Sequence, residues 1–147
     1  MEEEVKKQIS KFSFPAKPPS FGNSYVFPED LTKESISALG ALMSRIASYR
    51  GYTLSLLARH EPKRKVSEQK HRLKLVEKTR EFDDGGTQRR AKEKAEVDAE
   101  VVELTKIVDD FESTSEFLKT LVQMYNGHIE VISREISRRQ AELQQNI

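Results

Sequence analysis

The chain predicts an all-α protein: a helical, hairpin-like protomer with a long C-terminal heptad helix and a flexible N-terminal tail, assembled into oligomers. Three observations predict it. Val101, Leu104, Val108, Phe111, Ser115, Leu118, Val122, Tyr125, Ile129, Ile132 and Ile136 step by alternating intervals of three and four. That repeat belongs to a long helix whose apolar stripe is buried against other helices. Charged residues make up 33% and apolar residues 36% of the 147, which suits solvated helices better than a thick globular core. Four of the five prolines fall within residues 1–28, which separates a tail, 1–28, from a helical domain, 29–147.

The tail scatters Phe12, Phe14, Phe21, Tyr25 and Phe27 among Pro15, Pro18, Pro19, Gly22 and Pro28. No helical or alternating period appears, and the prolines disfavour a helix. Disordered linkers are poor in aromatics, so this composition reads as a docking peptide for a neighbouring subunit or another protein.

A helix start follows, with Thr32 as N-cap and Glu34 in the first turn. Ile36, Leu39, Leu42, Met43, Ile46, Tyr49, Thr53 and Leu56 keep helical spacing. Gly40 and Gly51 mark places for close helix packing. Pro62 ends this helix, because a proline pushes the residue before it out of the α region. A separate basic segment runs from about Lys63 to Phe82 with a thin stripe of Val66, Leu73 and Val76. Asp83-Asp84-Gly85-Gly86-Thr87 is a turn or loop. The long helix then spans about Gln88 to Gln144, with Arg139 interrupting the seam before Leu143.

The seam residues Leu104, Val108, Phe111, Leu118, Val122, Tyr125, Ile129, Ile132 and Ile136 are the expected oligomer interface. So many positions exceed what one short partner helix can cover.

The net charge of +1 hides a strong polarity. Arg59 to Lys94 holds thirteen Lys/Arg against seven Asp/Glu, and Ala95 to Val131 holds two against nine. The basic stretch suggests a polyanion partner; alternatively, the two stretches face one another inside the molecule. The chain has no cysteine, which removes disulfide and thiolate chemistry and fits a reducing cytoplasm. No apolar stretch is long enough to span a membrane, and the acidic N-terminus is unlike a signal peptide.

Catalytic and metal motifs are thin. His60, His71 and His128 form no zinc-binding pair, and Gly85-Gly86 belongs to no phosphate-loop or dinucleotide fingerprint. The expectation is no enzyme, no catalytic residue, no metal and no cofactor. The better lead is the row Lys70, Lys74 and Lys78, four residues apart on one helical face, with Arg72 and Arg80 flanking it and Phe82 just after. Cations about 6 Å apart along a helix axis, beside an aromatic for base stacking, are how non-specific single-strand binders work. Lys63 and Arg64 are the next candidates.

These residues resemble a family, the UvsY-like recombination mediators of T4-like bacteriophages. Arg59-His60-Glu61-Pro62-Lys63-Arg64-Lys65 matches the family's turn after its first helix. Lys78-Thr79-Arg80-Glu81-Phe82-Asp83-Asp84-Gly85-Gly86 matches its basic element and loop, and Val97-Asp98-Ala99-Glu100-Val101 the start of its long helix. The likeness covers roughly Leu39 to Ala141 and is one of pattern and order more than identity. The Pro/Phe-rich tail and Pro62 depart from it. It implies single-stranded-DNA binding through Lys78 and Arg80, ring-like homo-oligomers, and contacts with a RecA-like recombinase and a single-strand-binding protein that the recombinase displaces. The implied location is the cytoplasm of an infected bacterial host. The rival expectation is a structural or assembly protein, such as a virion connector, scaffold or coiled-coil adaptor, that binds no nucleic acid.

Overall fold

A computed structural model describes residues 2–10, 15–19, 21 and 25–147. Among these there are four α-helices and no strand: α1 (Glu2–Ile9), α2 (Ile36–Glu81), α3 (Gln88–Glu96) and α4 (Ala99–Gln145), with a short 3-10 helix at Leu31–Lys33. The chain divides into two compact units, Met1–Ser13 with Leu57–Phe117, and Phe14–Leu56 with Leu118–Ile147. Within each unit a length of α2 runs antiparallel to a length of α4.

Helix α1 corrects the reading of the tail as helix-free. The prolines begin only at Pro15, and the acids at its start and Lys6 and Lys7 in its last turn suit the helix dipole. Phe12, Phe14 and Gly22 lie outside the described residues.

The start of α2 also differs from expectation. Asp30 takes Thr32: its Oδ1 accepts from the Thr32 amide at 3.0 Å and from the Thr32 hydroxyl at 2.5 Å, capping the 3-10 turn. Ser35 is the N-cap of α2, accepting from the Ala38 amide at 3.0 Å. Gly40 and Gly51 mark no close approach, since a Cβ on either meets nothing within 4 Å.

Pro62 does not end the helix; α2 passes through it for another 19 residues. A proline inside a helix loses one backbone hydrogen bond and costs about 3 kcal/mol. The first unit offsets this by clamping the turn just before it. His60 Nε2 donates to the Phe111 carbonyl at 2.8 Å, and Glu61 accepts from the buried Ser115 hydroxyl. Ser115 thereby explains the first interruption of the seam.

The expected helix from Gln88 to Gln144 is two helices. α3 ends at Glu96, and Asp98 restarts the chain by accepting the Glu100 amide at 3.0 Å.

The second unit holds the apolar core. Leu39, Ile46, Tyr49, Tyr125 and Ile132 are buried together, with Phe21, Tyr25, Phe27, Leu31, Leu121, Ile129 and Ile136 packed on them. This corrects the docking-peptide reading at the aromatic positions that are described. Phe21 stacks edge-on to Tyr52 at 4.7 Å, Phe27 lies flat on His128 at 4.2 Å, and the Tyr25 hydroxyl meets His128 Nδ1 at 2.6 Å. Arg139, the second interruption of the seam, reaches the carbonyls of Leu31 and Glu34 and so ties α4 to the turn before α2.

The seam is therefore covered from within the chain. Leu118, Tyr125 and Ile132 are buried, and Leu104, Val108, Phe111, Val122, Ile129 and Ile136 are half-buried. With α2 46 residues long, these nine positions have a partner helix within the chain, and their burial does not by itself require an oligomer.

Candidate nucleic-acid interface

The basic candidates all lie on the second half of α2, within the first unit, and the structure splits them into two sets. Lys74 Nζ lies 2.8 Å from Glu100 and 3.3 Å from Glu77. Lys78 Nζ lies 3.2 Å from Glu81, with Glu100 and Asp98 at 3.9 and 4.0 Å, and its side chain is only 15% exposed. These contacts raise both lysine pKa values, Lys74 through its hydrogen bond to Glu100 first and Lys78 through Glu81 first. The Lys74 hydrogen bond in turn lowers the pKa of Glu100. Arg64 pairs with Glu61 at 3.0 Å and Glu68 at 2.5 Å. At Lys74 and Lys78 the basic and acidic stretches do face one another. Only the acids near in sequence were visible beforehand; Asp98 and Glu100 lie 20 or more residues away from Lys78.

Lys63, Lys70, Arg72 and Arg80 form the second set and are exposed. Arg80 stands at the edge of a groove of about 600 Å³ between the end of α2 and α3. Leu75, Val76 and Ala91 supply apolar lining, and Thr79 and Gln88 supply polar groups. Arg80 on one wall and Arg89 and Lys92 on the other supply cations, against one acid, Asp83. Phe82, the expected stacking aromatic, is half-buried and does not line this groove.

The loop between the helices sets this geometry. Gly85 has φ +83°, a left-handed conformation that glycine adopts without a side-chain penalty. Asp83 Oδ1 accepts the Gly85 amide at 3.2 Å, and Asp84 Oδ1 accepts the Gly86 amide at 3.1 Å. The Gly86 amide first, and then Lys94, hold the Asp84 carboxyl below its usual range. Thr87 caps α3 by accepting the Arg90 amide. The chain thus turns tightly enough to set Arg89 and Lys92 across from Arg80. Arg89 and Lys92 were legible only as part of the basic first turns of the expected long helix and were not among the expected binding residues.

A groove with apolar walls and a cationic rim can hold a ligand that is anionic along one edge and flat or apolar along another. Among the described residues no cluster of three or more His, Cys, Asp or Glu is placed to hold a metal ion, and no helix is long and apolar enough to cross a membrane. No protein-family model, curated protein or solved structure matches the chain.

Proposed function

We propose that this protein binds single-stranded DNA without sequence preference and serves as a recombination mediator, helping a RecA-like recombinase replace single-strand-binding protein. The observation that carries the binding step is the groove in which Arg80, Arg89 and Lys92 surround Leu75, Val76 and Ala91. Phosphates meet the cations while unstacked bases lie against the apolar wall, an arrangement a stiff duplex cannot enter. The mediator step rests on the likeness of Lys78 to Gly86 and Val97 to Val101 to the UvsY-like pattern. The protein then acts by binding, with no turnover of its own. Within that family's pattern the binding emphasis moves here from Lys78, which is engaged with acids, to Arg80 and Lys92; Arg89, on the same wall as Lys92, is paired with Glu93 at 3.0 Å through a solvent-exposed contact.

The test is fluorescence anisotropy with an oligothymidylate and with duplex, across a salt series. Single strands should bind better than duplex, with affinity falling steeply as salt rises. Arg80→Ala with Lys92→Ala should flatten the plot of log affinity against log salt by roughly 1.4, two phosphate contacts' worth. Lys78→Ala alone should change it far less. Absence of binding at low salt would favour the rival assembly protein, for which exposed Leu73 and Val76 form a protein-facing surface instead.

A further inference from the structure

Within the first unit, one carboxylate serves two lysines. Lys74 and Lys78 lie about 6 Å apart along the axis of α2. Glu100, in the first turn of α4, lies 2.8 Å from the Lys74 ammonium and 3.9 Å from that of Lys78. The two lysine side chains are 27% and 15% exposed, whereas that of Glu100 is 59% exposed. The cations are thus folded down against α4, and the anion that holds them stands in solvent.

The other acids beside the pair differ from Glu100. Glu77 and Glu81 each lie three residues along α2 from their lysine; such neighbours on one exposed helix face hold weakly and move with the lysine. Asp98 is 4.0 Å from Lys78 and spends its Oδ1 on the Glu100 amide at the start of α4. Glu100 reaches across from another helix to both lysines. It can also let them go, because a carboxylate in the first turn of a helix is favoured by the dipole whether or not it touches a lysine.

The lysines adjoin the proposed strand site. Leu75 and Thr79, which directly follow Lys74 and Lys78 in the chain, line the groove with Arg80. A strand leaving the groove on that side passes the two ammonium groups, and its phosphates compete with Glu100 for them. Glu100 belongs to the same chain, so its effective concentration at the lysines is high.

We propose that Glu100 is an autoinhibitory side chain: a tethered carboxylate that occupies Lys74 and Lys78 in place of phosphate and so limits how tightly the protein holds a strand. The proposal rests on the single-strand reading above. It gives that reading a means of release, since a protein that hands a strand to another must let go of it.

Glu100→Gln keeps the size of the side chain and removes its charge. In fluorescence anisotropy with an oligothymidylate it should tighten binding about three- to tenfold at low salt, the worth of one or two exposed ion pairs. It should also steepen the plot of log affinity against log salt by roughly 1.4, as two more phosphates are engaged. Glu103→Gln removes the same charge from an exposed position three residues on and should gain far less. The gain should vanish when Lys74→Ala and Lys78→Ala accompany Glu100→Gln. A gain that survives there, an equal gain from Glu103→Gln, or unchanged affinity in Glu100→Gln would overturn the proposal. The contact itself is read without DNA: an amine-acylating reagent should modify Lys74 faster in Glu100→Gln than in the native chain, with Lys63 unchanged. Strand binding by the native chain with unchanged acylation would overturn the gate alone. Faster acylation with no strand binding by either protein would refute the single-strand reading, and the gate with it.

Discussion

The two units use the same pair of helices and hold them in different ways. In the second unit α2 and α4 meet through Leu39, Ile46, Tyr49, Tyr125 and Ile132, all buried and roofed by Phe21, Tyr25 and Phe27. In the first unit the contact runs through polar pairs: His60 with the Phe111 carbonyl, Glu61 with Ser115, His71 with Thr105 at 2.9 Å, and Lys74 with Glu100. Its fully buried apolar side chains are small, Ala91, Ala95 and Val101. Apolar burial contributes in proportion to area, whereas exposed ion pairs contribute little. The second unit is therefore the stable one. The first spends its surface on charge, and binding elements are drawn from the less stable parts of a fold.

The largest effect should come from the second unit's core. Ile132→Ala should cost about 2–5 kcal/mol, read as a lower midpoint in urea. Val101→Ala, in the first unit, removes fewer methylenes and should cost about half as much or less. A chain equally sensitive at both sites would break the contrast. All four tyrosines, Tyr25, Tyr49, Tyr52 and Tyr125, lie in the second unit, so tyrosine fluorescence reports that unit while circular dichroism reports both. Helix signal should begin to fall at lower urea than tyrosine fluorescence.

The aromatic roof comes next. Phe27→Ala should lower stability by about 1–2 kcal/mol, a share of the 1.5–3 kcal/mol of a fully buried large side chain. Deleting residues 1–28 should lower the tyrosine-monitored melting temperature by more than any single change in the first unit. An unchanged melting temperature would return this segment to the status of a free tail.

Acid should act on the second unit in two separate ranges. Burial lowers the His128 pKa below 6.5. The guanidinium groups of Arg138 and Arg139 lower the Glu135 pKa from 4.5 to about 2. In both cases the folded state binds its proton less readily than the unfolded chain, so stability is lost as protons are added. The His128 contribution is complete above 6.5 and fades below it; that of Glu135 is complete above 4.5 and fades toward 2. Glu135→Gln should be less stable than the native chain at pH 6, and that gap should narrow as pH falls below 4.5 and close only near pH 2 in urea titrations. A gap that persists would mean Glu135 acts by packing alone.

The reach of the sequence differed between elements. The seam and the glycine loop were legible because each depends on neighbours: a repeat over 36 residues, and two aspartates beside two glycines. Pro62 misled because its local preference for ending a helix is overridden by His60 and Glu61 gripping α4, partners 51 and 54 residues away. Thr32 misled because Asp30 competes for it. At the candidate site the cations could be counted but not sorted, since what separates Lys78 from Arg80 is the position of Asp98 and Glu100 in space. Ser115 and Arg139 looked like defects in the stripe and are its polar fastenings.

The aromatic roof also orders events in time. Its contacts to α4 join positions about a hundred residues apart, Tyr25 to His128 and Leu31 to Arg139, whereas the polar pairs of the first unit join positions 26 to 54 apart. Closing longer loops costs more chain entropy, and folds rich in distant contacts form more slowly. On the ribosome, where residues emerge one after another, the first unit's residues are all exposed by Phe117. Tyr25 and Phe27, whose partners include Tyr125 and His128, must wait for their full cover until α4 is nearly finished. That interval is when the nascent chain is most open to aggregation or to a holding chaperone. Stopped-flow refolding of the full chain should show tyrosine fluorescence trailing the helix signal.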